Sequence, residues 1–200
     1  MMPILLPFLR FVGWLFFLVL GPLRIRNQRS IPRRGGVLLV ANHQSFADAI
    51  ALQVACPRHI NYMANRELFN VGWLRWFVRW FRVFPVKTGS PDRAALRYAV
   101  ELLKAGKVVC IFPEGRLSET GELLPFLPGA TLIAKMADVP VLPAGIRNTR
   151  NVVPYMEIRF VPTFKSVWVN WGSPRVVPKA EEPEETLAWL REEISRLMQP

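Results

Sequence analysis

The 200-residue chain has two histidines, and one of them, His43, stands five residues before Asp48 in the otherwise apolar passage ANHQSFADAI, residues 41 to 50. An imidazole and a carboxylate together make a general base. The acid accepts from one ring nitrogen and fixes the tautomer, which leaves the other nitrogen able to take a proton from a substrate hydroxyl. The spacing dictates where such a pair must sit. Five residues along a helix rotate the chain by roughly 140°, so His43 and Asp48 cannot share a helix face as an i, i+4 pair does. They meet only if His43 lies in a turn leading into the helix that carries Asp48. The competing reading is a structural histidine beside an acid that stabilises a first helical turn through the helix dipole. This stretch alone leaves both readings open.

A second polar group follows in IFPEGRLSETGEL, residues 111 to 123. An apolar run ends at Pro113, and Glu114, Gly115 and Arg116 come next, which places them at the carboxyl end of a buried strand, where α/β proteins build their sites. Gly115 permits close backbone approach, and Arg116 offers a planar fork matched to a phosphate. Glu114 either orients Arg116 or holds a substrate hydroxyl; a surface turn with a solvated ion pair is the alternative. A metal site is disfavoured, because His59 is the only other histidine and no third ligand stands at a zinc-like spacing. A serine hydrolase is disfavoured too, since neither Ser45 nor Ser118 lies in a G-x-S-x-G elbow. Cys56 and Cys110 form no disulfide framework, and Cys110, within KVVCIFP, reads as a small buried hydrophobe on a reducing, cytosolic side.

The elements that must carry these groups are legible from periodicity. Residues 37 to 41 (VLLVA) form a buried strand, and a helix capped by Ser45 begins at Phe46. RVFPV is a strand that Pro85 confines to an edge. SPDRAALRYAVELLKAG predicts a helix with Ser90 as N-cap, Pro91 at its first position, a stripe through Ala95, Ala99, Leu102 and Leu103, and Gly106 at its end. Strand VVCIF (108 to 112), helix GATLIAKMA and strand VPVLPAGI follow. YMEIRFV and SVWVNWG alternate with period two, as one-sided or edge strands do. PEETLAWLREEISRLM is an amphipathic helix with Leu187, Leu190, Ile194 and Leu197 on one stripe. Apolar strands alternating with helices predict an α/β fold with a central, mostly parallel sheet flanked by helices. No repeat or long linker divides residues 35 to 200, which form one domain.

Residues 1 to 34 are an N-terminal membrane-associated helical segment with a basic flank. Ile4 to Leu23 is almost wholly apolar, interrupted by Pro7 and Arg10, and Arg24, Arg26, Arg29, Arg33 and Arg34 follow. The run barely reaches the roughly 20 residues that span a bilayer, so a helix in or along one leaflet is expected. The basic flank places the domain on the cytoplasmic face of the inner (cell) membrane. In VGWLRWFVRWFRVF, residues 71 to 84, arginines at helical spacing among tryptophans suit the same boundary. A net charge of +11, from 26 Lys plus Arg against 15 Asp plus Glu, demands anionic partners. Nucleic acid is not among them, because the cations form no tract and no zinc-finger or RNA-binding signature surrounds them.

NHQSFAD resembles the N-H-x4-D motif, and FPEGR the F-P-E-G motif, of the glycerolipid acyltransferases that acylate glycerol 3-phosphate and lysophospholipids. Their order and separation fit, and VPVLPAGI is similar to the family's fourth block, so the resemblance covers residues 37 to 146. It implies a glycerol-phosphate-acyltransferase-like domain with His43 as general base, Asp48 as its orienting partner, and Glu114, Gly115 and Arg116 binding the acceptor's glycerol phosphate. It also implies O-acylation without cofactor or metal, with acyl-CoA or acyl carrier protein as co-substrate. The leading acceptor is lysophosphatidate, giving phosphatidate for phospholipid biosynthesis. The alternatives are lysophosphatidylethanolamine or another lysophospholipid, and a non-catalytic lipid-binding protein on the same fold. Anionic membrane lipids, the lysophospholipid acceptor and the acyl donor are the implied partners. The chain departs from the family in three places: Lys87 and Thr88 replace the usual Arg of the second block; Asn65 replaces a Lys, leaving Lys87 and Arg66 as the substrate-binding cations there; and FPEGR lacks the Thr that phosphatidate-forming members often place between Gly and Arg, similar to the F-P-E-G-R form of acyltransferase domains that recycle lysophosphatidylethanolamine.

Overall fold

The computed structural model describes residues 5 to 70, 72, 75 to 87, 92 to 155 and 159 to 199. Seven α-helices and eight strands are seen among them: α1 Leu5–Leu20, β1 Leu23–Arg26, β2 Val37–Ala41, α2 Ala47–Ala55, β3 Ile60–Asn65, α3 Arg75–Trp80, β4 Val83–Val86, α4 Arg93–Lys104, β5 Val108–Ile111, α5 Gly129–Ala137, β6 Pro140–Arg147, α6 Thr149–Val152, β7 Val167–Trp171, β8 Arg175–Val176 and α7 Pro183–Leu197. The strands form one sheet in the order β1-β7-β6-β2-β5-β3-β4, with β8 paired to the start of β6. Pairing is parallel except where β6 meets β7 and β8. The expected mostly parallel sheet is therefore present.

The unbroken apolar run of β2 has a direct cause. Val37, Leu39 and Ala41 face a core shared with α1 and α2, while Leu38 and Val40 face a second core shared with α4, α5 and α7. A strand covered on both faces has no polar side to alternate with. Carboxyl ends of β2, β5, β3, β4 and β6 all point to one edge of the sheet, because these strands run parallel. The loops that leave that edge hold the polar motifs.

Several elements differ from expectation. Strand β3 was not anticipated, because INYMAN mixes polar and apolar residues without clean alternation; Asn61 is nevertheless buried and donates to the Val108 carbonyl at 2.8 Å. β4 is the edge strand that Pro85 requires. SVWVNWG forms β7, but between β1 and β6 rather than at an edge. Within YMEIRFV, Tyr155 and residues 159 to 161 lie outside any strand, and residues 156 to 158 are outside the described residues. Helix α4 starts at Arg93 with Asp92 as N-cap, its carboxylate accepting from the Ala95 N–H at 3.1 Å; Ser90 and Pro91 lie outside the described residues. The α7 stripe buries Thr186, Leu190, Ile194 and Leu197, with Leu187 beside it half-buried. The arginine and tryptophan helix is only the six residues of α3, and Val71, Trp73 and Leu74 lie outside the described residues.

The N-terminal 34 residues are joined to the rest of the fold. β1 pairs with β7, and α1 lies on α2, with Phe17 fully buried between them and the sheet. A Cβ on Gly13 would stand 2.4 Å from Val54 Cγ2, so the bare backbone sets the approach of the two helices. Arg10, the charge inside the apolar run, donates from Nε to the Val54 carbonyl at 3.2 Å, satisfying a carbonyl in the last turn of α2. The opposite face of α1 exposes Phe8, Phe11, Val12, Leu15, Leu18 and Val19. Among the described residues no helix is long and apolar enough to cross a membrane.

Candidate active site

Asn42 closes the end of β2 by pairing both ways with Ile146 on β6: its Nδ2 donates to the carbonyl at 3.0 Å, and its Oδ1 accepts the N–H at 2.7 Å. The chain then leaves the sheet, and His43 stands in the turn before α2, as the five-residue spacing requires. His43 Nδ1 and Asp48 Oδ2 are 2.9 Å apart. The same oxygen accepts the N–H groups of Gln44 at 2.7 Å and Ser45 at 2.9 Å, and the Thr149 hydroxyl donates to Oδ1 at 2.5 Å. Asp48 is wholly buried, and its four hydrogen bonds supply the partners that burial demands. Two of the donors on Oδ2 are backbone N–H groups, so the oxygen is an acceptor and Nδ1 must carry the ring proton. Nε2 is thereby left as the basic nitrogen. The imidazole stacks on Phe112 at 3.9 Å and 11°, its side chain is 19% exposed, and among the described residues Nε2 has no partner.

The start of α2 differs from the expected serine cap. The helix begins at Ala47 after Phe46, and the Ser45 hydroxyl donates to the Val153 carbonyl at 2.7 Å while accepting the Ala47 N–H at 3.2 Å. Asp48 instead reaches back to the N–H groups of Gln44 and Ser45, in the turn before the helix. One carboxylate thus braces the turn and orients the imidazole.

Glu114 follows β5, the neighbour of β2, and is only 5% exposed. Its Oε1 accepts the main-chain N–H of His43 at 2.8 Å, and its Oε2 that of Leu124 at 3.0 Å. The carbonyl of His43 in turn accepts the Ser118 N–H at 2.9 Å. Both ends of the His43 residue are therefore held by the loop that begins with Glu114. Burial raises the Glu114 carboxyl above its ordinary range, with the N–H groups of His43 and Leu124 opposing the rise. Gly115 has φ +68°, a conformation that favours glycine, and a Cβ there would stand 2.7 Å from Leu127 Cδ1. Arg116 is exposed and has no hydrogen bond or ion pair among the described residues.

Arg66 and Lys87 lie just past the carboxyl ends of β3 and β4, on the same sheet edge and both exposed. Their strands are the second and third from β2, or about 10 and 14 Å sideways at the usual strand spacing. Asp92 accepts the Lys87 main-chain N–H at 3.0 Å and feels the charge of Arg66. The structure thus brings His43, Asp48 and Glu114 together and sets Arg66 and Lys87 apart from them. Both thiols are buried, and burial pushes Cys56 up to about 11 and Cys110 well above the ordinary thiol range, so neither is a nucleophile. Among the described residues no group of three or more His, Cys, Asp or Glu side chains could hold a metal ion.

Thr149 was invisible to sequence reasoning, since nothing in a threonine 101 residues from Asp48 marks it. Asn42 had a signal: a buried amide directly after an apolar strand must find two partners.

The chain resembles known proteins along most of this framework. A family model described as Acyltransferase matches residues 22–147, from the residue before β1 through the end of β6. The 1-acyl-sn-glycerol-3-phosphate acyltransferase of Bacillus subtilis is 34% identical over 129 residues, covering 64% of this chain and 64% of that protein. The Streptococcus pneumoniae protein of the same name is 27% identical over 157 residues, covering 77% of this chain and 56% of its own. The chain thus spans less than two thirds of the length of these relatives. The crystal structure of the 1-acyl-sn-glycerophosphate (LPA) acyltransferase PlsC from Thermotoga maritima superposes with a TM-score of 0.79 at 27% identity, covering 96% of this chain and 77% of that one. With the histidine turn, the glutamate loop and the strands that hold them all inside the matched region, the chain belongs to the Acyltransferase family.

Proposed function

We propose that the protein is an O-acyltransferase that converts lysophosphatidate to phosphatidate. The observation that carries this is the 2.9 Å bond from His43 Nδ1 to a buried Asp48, which leaves Nε2 basic and open at the carboxyl edge of the sheet. The acyl group arrives as a thioester of coenzyme A or acyl carrier protein. Nε2 takes the proton of the acceptor hydroxyl as its oxygen attacks the thioester carbonyl. The C–S bond then breaks, and the imidazolium returns the proton to the leaving thiolate. No cofactor or metal is required, and Arg116, which makes no hydrogen bond or ion pair among the described residues, binds the acceptor phosphate as a bidentate fork. Glu114 acts by holding the His43 turn. Relatives that bear the lysophosphatidate acyltransferase name support the acceptor.

The enzyme works at the cytoplasmic face of the inner membrane. The apolar outer face of α1 enters one leaflet, and the basic residues behind it meet anionic headgroups. The deciding experiment supplies purified protein with labelled acyl-CoA and either lysophosphatidate or lysophosphatidylethanolamine, and repeats it with acyl carrier protein as donor. Phosphatidate is the expected product. Product from lysophosphatidylethanolamine alone would reassign the acceptor, and no product from any pair would overturn the reading.

A further inference from the structure

An open pocket of about 360 Å³ lies beside the His43 turn, between residues that follow β5 and residues that follow β6, and the acyl-transfer residues do not account for it. Gln44, the residue after His43, forms one wall. Asn148, Arg150 and Asn151 form another, flanking Thr149, the hydroxyl that holds Asp48. Thr120 and Gly121, from the loop that begins at Glu114, complete it together with Tyr155.

The electrostatics of this pocket are one-sided. Arg150 is half-buried, yet among the described residues it makes no hydrogen bond or ion pair and no carboxylate lines the pocket. Its guanidinium lies against the Gly121 backbone: a Cβ there would meet Nη1 at 3.0 Å and Cδ at 3.4 Å, and Gly121 has φ +85°. The positive φ favours glycine at residue 121, and the guanidinium packs against the bare backbone there. Further donors are at hand. The Asn151 side-chain amide makes no hydrogen bond among the described residues, and the Thr120 hydroxyl, which accepts the Glu122 N–H at 3.2 Å, keeps its own proton to give. At the rim, the Tyr155 hydroxyl is engaged by Glu119 at 3.2 Å, and Arg116 is near enough for its charge to act on that hydroxyl. A cation held by packing and surrounded by neutral donors is the arrangement that binds a phosphate ester.

We propose that this pocket binds the phosphate ester of one of the two substrates, with Arg150 as its principal cation. The proposal rests on the acyl-transfer reading for the identity of those substrates. The phosphate is either the acceptor's glycerol phosphate or one carried by the donor's coenzyme A, and both present the same anionic oxygens. Arg150 is a binding residue for the reaction, beyond Arg116.

The test uses the full chain, wild type against Arg150→Gln, with the KM for each substrate measured at saturation of the other. Loss of a charged hydrogen-bond partner raises one KM by about tenfold or more with kcat within a few-fold. A rise for lysophosphatidate alone assigns the acceptor phosphate, and a rise for acyl-CoA alone assigns the donor. Unchanged values for both overturn the proposal. Asn151→Asp, which faces the phosphate with a carboxylate and leaves the packing of Arg150 intact, raises the same KM, and so decides the matter if Arg150→Gln does not fold. Equilibrium dialysis with radiolabelled glycerol 3-phosphate and with coenzyme A separates this proposal from the acyl-transfer reading. If the wild type turns nothing over but binds one probe, and Arg150→Gln loses it, the pocket stands while the reaction fails. Binding of neither probe, or equal binding by both proteins, overturns the pocket.

Discussion

Glu114 Oε1 accepts the main-chain N–H of His43 at 2.8 Å, so the acid of one motif grips the backbone of the other across 71 residues of chain. A second bond, from Ser118 N–H to the His43 carbonyl, completes the hold. The imidazole is thus fixed twice: through its ring by Asp48 and through its peptide by the Glu114 loop. Pre-organisation of this kind reduces the motion needed when a proton is transferred.

His43→Ala removes the base and leaves the turn in place. Acyl transfer should fall by about 100-fold to 10,000-fold, the usual range for a positioned acid or base. Circular dichroism and the melting temperature should stay close to wild type, because the ring is partly exposed and its backbone contacts survive. Turnover within tenfold of wild type would rule out the general-base role.

Glu114→Ala leaves two N–H groups without their acceptor, at about 1 to 3 kcal/mol each. Loss of stability and loss of kcat should therefore appear together, with the acceptor KM changing less than it does on substitution of Arg116. A large rise in acceptor KM with kcat unchanged would instead show Glu114 touching substrate.

Burial raises the Glu114 carboxyl, which fixes the sign of a pH effect. The folded state holds this proton more tightly than the unfolded state does. Its stabilising contribution is full below the ordinary carboxylate pKa and is lost as pH rises through the raised value. Wild-type stability should therefore decline relative to Glu114→Gln as pH climbs from about 4 towards 7, measured by urea unfolding at each pH. A difference that is flat with pH would remove burial as the dominant influence.

Thr149→Val deletes the donor to Asp48 Oδ1 with little change of volume. A loss of about 1 to 2 kcal/mol in stability is expected, together with a several-fold fall in kcat at unchanged KM for both substrates. An equal melting temperature and kcat would show the bond to be dispensable.

The two faces of α1 should separate stability from membrane attachment. Phe17→Ala, inside the core, should cost about 3 to 5 kcal/mol in unfolding free energy. Phe11→Ser with Leu18→Ser, on the exposed face, should leave the melting temperature unchanged and release the protein from anionic vesicles in a flotation assay. Retention on vesicles by the double variant would place the anchor elsewhere.

Local patterns were enough to read the strands that are apolar throughout, the helices with one stripe, and the edge position of β4, since burial and the missing proline N–H act on a few adjacent residues. The five-residue gap from His43 to Asp48 also placed the histidine in a turn, because helical geometry allows no other meeting. Strand β3, the interior position of β7 and the Asp92 cap were not legible. Their polar residues are explained only by partners that the fold brings to them, such as the Val108 carbonyl for Asn61. The same limit divides the site. Residue types and order named His43, Asp48, Glu114 and Arg116, whereas the parallel register of β2, β5 and β6 decided that Glu114 holds the backbone of His43, that Thr149 holds Asp48, and that Arg66 and Lys87 stand two and three strands away. A spacing in sequence constrains groups on one segment, but the distance between groups on different strands is set by which strands pair.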